Sequence, residues 1–160
     1  MGIDSRLYCG RSSEPCALKQ PRQPVIQEEV TGCGIAAVAV IAGTTYAEAR
    51  LVAHGLGIHA DDSTLWSSTA SVRRLLAAFG YVADDEPTPF AGWAQLPDLA
   101  LLSLKWHLEK GKPYWHWVVF IRSGVAAYVL DSKKALKTHV RTDFGRMRPK
   151  WSLGVRTGST

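Results

Sequence analysis

The spacing of the apolar residues changes along this chain, from a helical pattern in the first half to a strand pattern in the second. Residues 34–42 are apolar on every side, which fits either a central strand or a buried helix; their length and their four alanines favour the helix. Residues 45–48 predict a capping box that opens a second helix to about His54. Residues 68–79 carry apolar side chains at helical spacing and predict a third helix.

The second half has a different pattern. Residues 84–98 contain prolines, a glycine and clustered acids and predict a connecting loop. Four later segments predict strands separated by turns, over residues 99–106, 115–121, 125–130 and 151–155. We therefore expect an α+β domain in which an N-terminal helical layer packs on a C-terminal antiparallel sheet.

The chain has 160 residues, of which 46% are hydrophobic and 21% charged, so its length and composition suit one ordinary globular domain. Residues 1–24 hold three prolines among polar residues and predict a loosely ordered arm, which leaves residues 25–160 for the single domain. No apolar run approaches the roughly 20 residues of a membrane helix, and the polar start lacks the apolar middle of a signal peptide. We expect a cytoplasmic protein that contacts no membrane.

The cysteines are three in number, Cys9, Cys16 and Cys33, and an odd count argues against a disulfide framework. Cys33 stands at the predicted start of the buried helix, where unpaired backbone N–H groups and the helix dipole favour a thiolate. A neighbouring cation would lower the pKa of such a thiol further and make it a nucleophile. A buried structural cysteine is the alternative, and Cys33 alone does not exclude it.

His116 and Asp131 fall in two consecutive predicted strands. If residues 123–124 form a two-residue hairpin loop, Arg122 pairs with Val125, and His116 then lies directly opposite Asp131 on the same face. The carboxylate would fix the imidazole tautomer and stabilise the imidazolium, as a base that serves a nucleophile requires. Each residue also has a plainer role open to it, His116 in packing and Asp131 in an Asx turn that ends its strand.

Gln27 lies six residues before Cys33 in the segment QEEVTGCG. Acyl transfer needs hydrogen-bond donors aimed at the oxyanion of the tetrahedral intermediate, and a glutamine amide together with the backbone N–H of the nucleophile can supply them. Gly32 and Gly34 leave room around the thiol for a substrate. Without Cys33, a surface amide would be the default interpretation of Gln27.

The segment from Gln27 to Gly34, the small apolar helix after it, and the motifs HWVV at 116–119 and VLD at 129–131 resemble the papain-like cysteine peptidases. The resemblance is strongest to the bacteriocin-processing type, which removes double-glycine leader peptides, and it covers residues 25–131. It implies a bacterial peptidase of papain-like fold. Those leader peptidases commonly have an acidic residue before the cysteine, where this chain has Gly32, and we expect a stand-alone peptidase domain of the same build.

The resemblance also implies roles for single residues. Cys33 would be the nucleophile, His116 the general base, Asp131 the orienting residue and Gln27 the oxyanion-hole donor. The implied reaction is cleavage of a peptide or amide bond in a peptide or protein substrate, through a thioester on the cysteine and without a metal or cofactor. Deamidases and transglutaminase-like acyltransferases share this fold and remain alternatives.

Four of the tryptophans lie either in predicted loops or in a predicted strand, and we expect different roles for the two groups. Trp66 and Trp93 lie in predicted loops and are candidates for the rim of a substrate cleft. Trp115 and Trp117 share the strand face opposite His116, so we expect them to pack in the core.

The net charge of +5 is unevenly distributed, because residues 132–160 hold eight cationic side chains and one acidic one. A basic stretch of this kind can bind nucleic acid or an acidic partner. A non-catalytic module that keeps the peptidase fold and binds such a partner is therefore the alternative from another functional class.

Overall fold

The structure, a computed structural model, describes residues 21–158. The arm expected over residues 1–24 lies mostly outside this range, and so do Cys9 and Cys16.

The helices occupy the first half of the described chain: α1 spans Cys33–Ala42, α2 Tyr46–Gly55, α3 Thr64–Ser67 and α4 Ala70–Ala78. The expected helix over residues 34–42 is thus confirmed, and it ends where Gly43 adopts a left-handed conformation with φ 70°. The capping residue of α2 is also confirmed, because the Thr45 side chain accepts a hydrogen bond from the Glu48 N–H.

The strands follow, and every pairing between them is antiparallel. Their spatial order is β1-β7-β3-β4-β5-β6, with β2 also paired to β7. The expected α+β class is confirmed. The strand bounds are β1 Tyr81–Ala83, β2 Thr88–Pro89, β3 Leu99–Glu109, β4 Lys112–Ser123, β5 Ala126–Leu130, β6 Val140–Arg141 and β7 Trp151–Thr157.

Both faces of the sheet bury apolar side chains. On one face, α1 and α3 pack against β4, whose odd-numbered residues Trp117 and Val119 belong to this cluster. On the other face, even-numbered residues such as Val118 and Phe120 pack in a second cluster with Leu96 and Met147. The period of two along a strand therefore explains why β4 is apolar on nearly every residue beyond His116.

Short elements were missed by the sequence-based prediction. Each of these elements holds two to four residues: α3, β1, β2 and β6. Two of them, α3 and β1, adjoin segments that were predicted to be loops. Segments of this length carry too few residues for a period to be recognised, and their structure depends on the neighbour they contact.

The register of the hairpin between β4 and β5 differs from the prediction. Arg122 pairs with Ala127 and Ser123 with Ala126, so the two-residue loop is Gly124–Val125 and not residues 123–124. Gly124 has φ 61°, a conformation that glycine adopts without cost. The pairing is displaced by two residues, and an even displacement keeps His116 and Asp131 on the same face.

No single helix in the described part of the chain is long and apolar enough to cross a membrane; α1 and α2 pass that test only as a pair bent by 110°.

Candidate active site

Cys33 is the first residue of α1, and its side chain is only 6% exposed. Gly32 is the N-cap residue, and no side chain among residues 21–158 caps this end of the helix. The first N–H groups of α1 therefore keep their hydrogen-bonding capacity, and the helix dipole adds positive potential at the sulfur. The local structure that the sequence predicted around Cys33 is present.

Gly32 fits its position because a larger residue would not. A Cβ at Gly32 would collide with the hydroxyl of Tyr46. That hydroxyl donates a 2.7 Å hydrogen bond to Oε1 of Glu29, whose backbone carbonyl accepts from the Gly32 N–H. Tyr46 on α2 thus holds the turn that leads into Cys33, and the missing side chain of Gly32 leaves space for this contact.

Gly34 also faces protein. A Cβ there would lie 3.2 Å from Val72 and 3.3 Å from Trp117, so its missing side chain lets α1 approach α4 and β4. The room that the sequence suggested around the thiol is occupied on this side by the core.

The imidazole of His116 and the carboxylate of Asp131 are in direct contact. Nε2 of His116 lies 2.8 Å from Oδ1 of Asp131, and the Asp131 side chain is 2% exposed. Two further donors hold this carboxylate: the backbone N–H of Lys133 on Oδ1 and Nη1 of Arg141 on Oδ2, both at 3.1 Å. With Nε2 taken by Asp131, Nδ1 is the ring nitrogen left for another partner.

The electrostatics of this pair favour its charged form. Burial lowers the pKa of the His116 imidazole, but the hydrogen bond to Asp131 and the nearby Cys33 thiol outweigh burial and raise that pKa to about 9. Burial raises the pKa of Asp131, but the hydrogen bond and charge of His116 outweigh it and lower that pKa to about 2. Both shifts favour the imidazolium form of His116 and the carboxylate form of Asp131, which places a cationic ring beside Cys33.

Gln27 is 7% exposed, and its side chain is fully hydrogen-bonded. Its Nε2 donates to the carbonyls of Glu29 at 3.0 Å and Val30 at 2.7 Å, and its Oε1 accepts from the Ser132 hydroxyl at 2.8 Å. The backbone N–H of Gln27 also donates to the Ser132 carbonyl. Gln27 is therefore a buried residue that ties the turn before Cys33 to the residue after Asp131.

Two residues of this arrangement were missed by sequence reasoning. Arg141 was counted only as part of the basic C-terminal stretch, and Ser132 received no role. Neither lies in a motif that would single it out, because Arg141 comes ten residues after Asp131 across an irregular loop. The one available signal for Arg141 was its spacing, because it stands two residues before Asp143. The guanidinium donates two hydrogen bonds to the Asp143 carboxylate.

Trp66 and Trp93 are not brought to a common site. Trp66 packs beside Tyr114 at a ring distance of 6.5 Å, against the cluster that includes Cys33. Trp93 packs against Phe90 and Phe144 in the second cluster. Trp115 and Trp117 meet edge to face in the core, as predicted.

A small apolar recess adjoins the turn before Cys33. It has a volume of about 240 Å³, and Val30 and Ala135 form part of its wall next to Gln27. Val30 is 94% exposed, which leaves an apolar side chain open to solvent three residues before Cys33 in the sequence.

Within residues 21–158, no cluster of three or more His, Cys, Asp or Glu side chains could hold a metal ion.

Comparison with known proteins relates this chain to solved structures. Neither a family model nor a curated protein matches the sequence. The structure is similar to that of a double glycine motif protease from an AMS/PCAT transporter, crystallised in complex with the leader peptide. The TM-score is 0.55 at 16% sequence identity, and the match covers 88% of this chain and 96% of that chain. The resemblance expected from the sequence is thus confirmed at the level of the fold.

Proposed function

We propose that this protein is a papain-like cysteine peptidase that cleaves a peptide or protein substrate through a thioester on Cys33. The observation that carries the proposal is the 2.8 Å contact between His116 and Asp131 beside a thiol at the start of a buried helix. A nucleophile, a base within its reach and a group that orients the base make up the arrangement that covalent acyl transfer requires.

The fold supports the same proposal. The solved structure to which this chain is similar is a double glycine motif protease, and its partner in the crystal is a leader peptide. A peptide is therefore the substrate class that we assign to the present chain. The exposed Val30 and the recess beside it provide an apolar surface for a substrate side chain next to Gln27.

In the proposed reaction, the Cys33 thiolate attacks the carbonyl carbon of the scissile bond, and the carbonyl oxygen becomes an oxyanion. The imidazolium of His116 gives its proton to the leaving amine, and the carbon–nitrogen bond breaks to leave a thioester. His116, now neutral, then takes a proton from water, which attacks the thioester and releases the acid and the thiolate. Asp131 keeps the ring oriented and its charge compensated throughout.

The oxyanion needs donors, and two are assigned. The backbone N–H of Cys33 lies at the uncapped start of α1, where the helix dipole favours negative charge. Nε2 of Gln27 lies in the adjoining turn, and to serve the oxyanion it exchanges one of its two carbonyl acceptors for the substrate oxygen.

Alkylation of the thiols by iodoacetamide tests the proposal. At about pH 6.5, an ordinary thiol with a pKa of about 8.5 is almost wholly protonated and reacts slowly. We expect Cys33 to be alkylated at least about tenfold faster than Cys9 and Cys16, as measured by mass spectrometry of the digested protein. The advantage of Cys33 should disappear in His116→Ala.

His107→Ala is the matched control, because His107 is exposed and contacts Glu109 instead of the proposed site. This variant should retain the fast alkylation of Cys33. Equal rates at all three cysteines of the unaltered protein would exclude an activated nucleophile and with it the peptidase proposal.

A further inference from the structure

A groove of about 430 Å³ opens on the sheet face that carries His116. Most of its lining side chains are cationic, and we call it the basic groove. Its cationic lining residues are Lys105, Arg141, Arg146, Arg148 and Lys150. No acidic residue lines it, and its volume falls within the range of about 300–1,000 Å³ typical of ligand sites.

The basic groove adjoins the proposed active site. Leu104, which lines the groove, is the cross-strand partner of His116. Arg141 lines it as well and donates to the carboxylate of Asp131. A ligand in the groove would therefore contact Leu104, the partner of His116, and Arg141, the partner of Asp131.

Much of the positive charge in the groove is not compensated by the described protein. Arg141 is paired with Asp131 and Asp143, but Arg146, Arg148 and Lys150 form no ion pair within residues 21–158. All three are exposed. Unpaired like charges around one concave surface repel each other, and an anionic ligand relieves that repulsion.

Lys105 adds to this repulsion. The pKa of the Lys105 ammonium group is lowered, mainly by its contact with Lys133 and to a lesser extent by burial. Lys105 lies in a bulge of β3 between Leu104 and His107, with φ 54°, a left-handed conformation that is unfavourable for a lysine. β-bulges redirect side chains, and this one turns β3 at the residue next to the partner of His116.

The groove is better suited to a peptide than to nucleic acid. Sites for single-stranded nucleic acid present open aromatic faces on which bases stack. The aromatic ring of the groove is Trp106, and the ammonium of Lys150 lies 4.8 Å from its centroid and covers that face.

We propose that the basic groove binds an acidic segment of the peptide substrate, so that the enzyme selects substrates that carry a segment rich in aspartate or glutamate. The proposal rests on the proposed peptidase function for the identity of the ligand as substrate. Its test is a binding measurement, which does not depend on catalysis.

The probes are three fluorescein-labelled ligands: a hexaglutamate peptide, a hexaglutamine peptide of the same length, and a thymidine hexanucleotide. Fluorescence anisotropy with the full-length protein measures their dissociation constants. We expect the hexaglutamate to bind at least about tenfold more tightly than the hexaglutamine, with an affinity that falls as salt is added. Arg146→Ala combined with Arg148→Ala should weaken the binding of hexaglutamate at least about fivefold.

Arg74→Ala combined with Arg156→Ala removes the same charge from other parts of the surface and should change that affinity by less than about twofold. Lys150→Ala is a second groove variant and should also weaken the binding of hexaglutamate. Equal affinity for hexaglutamate and hexaglutamine, equal loss in the groove and control variants, or tighter binding of the hexanucleotide would overturn the proposal. Cys33 alkylation in the groove variants stays fast if the peptidase proposal is right, so the two proposals can fail separately.

Discussion

Arg141 donates a hydrogen bond to Oδ2 of Asp131 at 3.1 Å, and this is the carboxylate oxygen that His116 leaves free. The proposed catalytic carboxylate is therefore held from both sides, and one of its supports comes from the basic C-terminal stretch. Arginine suits this position because its planar guanidinium also reaches Asp143 through two further nitrogens.

Replacement of Arg141 should destabilise the protein in a pH-dependent way. Because the folded pKa of Asp131 is about 2, below its unfolded value, its contribution to stability is present above about pH 4 and is lost as the pH falls through about 2. We expect Arg141→Ala to lower the free energy of unfolding by about 1–3 kcal/mol at pH 7, and by less near pH 3. Urea denaturation at a series of pH values measures both.

Arg156→Ala is the control for that experiment. Arg156 also forms a 3.1 Å ion pair, with Asp84, but its side chain is 62% exposed, and exposed pairs contribute little. If Arg156→Ala loses as much unfolding free energy as Arg141→Ala, the buried Arg141–Asp131 pair contributes no more to stability than an exposed ion pair.

Replacement of Asp131 by asparagine should slow the alkylation of Cys33. The amide oxygen can still accept a hydrogen bond from His116, but the negative charge is gone, so the pKa of the imidazole falls and less imidazolium is present beside Cys33. We expect the rate constant with iodoacetamide at about pH 6.5 to fall about tenfold or more. Asp143→Asn, which removes a charge on the far side of Arg141, should leave that rate within about twofold.

The imidazole of His116 should titrate near pH 9, as followed by NMR of its ring protons. Since this pKa lies above the unfolded value of about 6.5, the stability it contributes is present below about pH 6.5 and is lost as the pH rises through about 9. In Cys33→Ala the titration should move to lower pH, because the thiol is one of the groups that raise the pKa. Titration near pH 6.5 in the unaltered protein would contradict the assignment of an imidazolium at neutral pH.

A methyl group at Gly32 should be tolerated only when the Tyr46 hydroxyl is removed. Gly32→Ala places its Cβ against that hydroxyl and near the ring carbon that bears it, so we expect a loss of about 1–3 kcal/mol in unfolding free energy. Tyr46→Phe alone loses the hydrogen bond to Glu29. The double variant should be more stable than the sum of the two single losses predicts, by about 0.5–3 kcal/mol. Strict additivity in this cycle would mean that the two residues do not clash.

Ser132→Ala should destabilise the protein by about 1–3 kcal/mol, because it leaves Oε1 of the buried Gln27 without its hydroxyl donor. Chemical denaturation measures the loss. Ser123→Ala, at the exposed end of β4, is the matched control and should change stability by less than about 0.5 kcal/mol. If the two variants are equally stable, the bond between Ser132 and Gln27 does not hold the turn.

The periodicity of apolar residues within each segment was sufficient to predict the main elements of the fold. The apolar run of α1, the cap at Thr45 and the strands β3, β4, β5 and β7 all followed from local residue patterns. α3 and the short strands did not, because two to four residues carry no period and depend on tertiary contacts. The hairpin between β4 and β5 shows a different limit. Gly124 can belong to a two-residue turn at residues 123–124 or at 124–125, and the pairing of the two strands decides between these turns.

The candidate site was predictable only in part. The sequence could predict that His116 and Asp131 lie on the same face of the sheet. That prediction requires only that the pairing of β4 with β5 is wrong by an even number of residues, and the observed displacement is two. Arg141, Ser132 and the Tyr46–Glu29 contact could not be predicted, because each joins segments whose approach is set by packing. The glycines beside Cys33 were expected to make room for substrate, whereas the observed neighbours of their missing side chains are Tyr46, Val72 and Trp117.

The two bonds between Gln27 and Ser132 join positions 105 residues apart, one on each flank of the proposed site. During synthesis, Cys33 leaves the ribosome long before His116, Asp131 and Ser132 have been added to the chain. Until then its thiol has no imidazolium partner, and the turn before it has no anchor. A growing or truncated chain would thus carry an ordinary cysteine, so that the reactive thiol would arise only in molecules that have completed their fold.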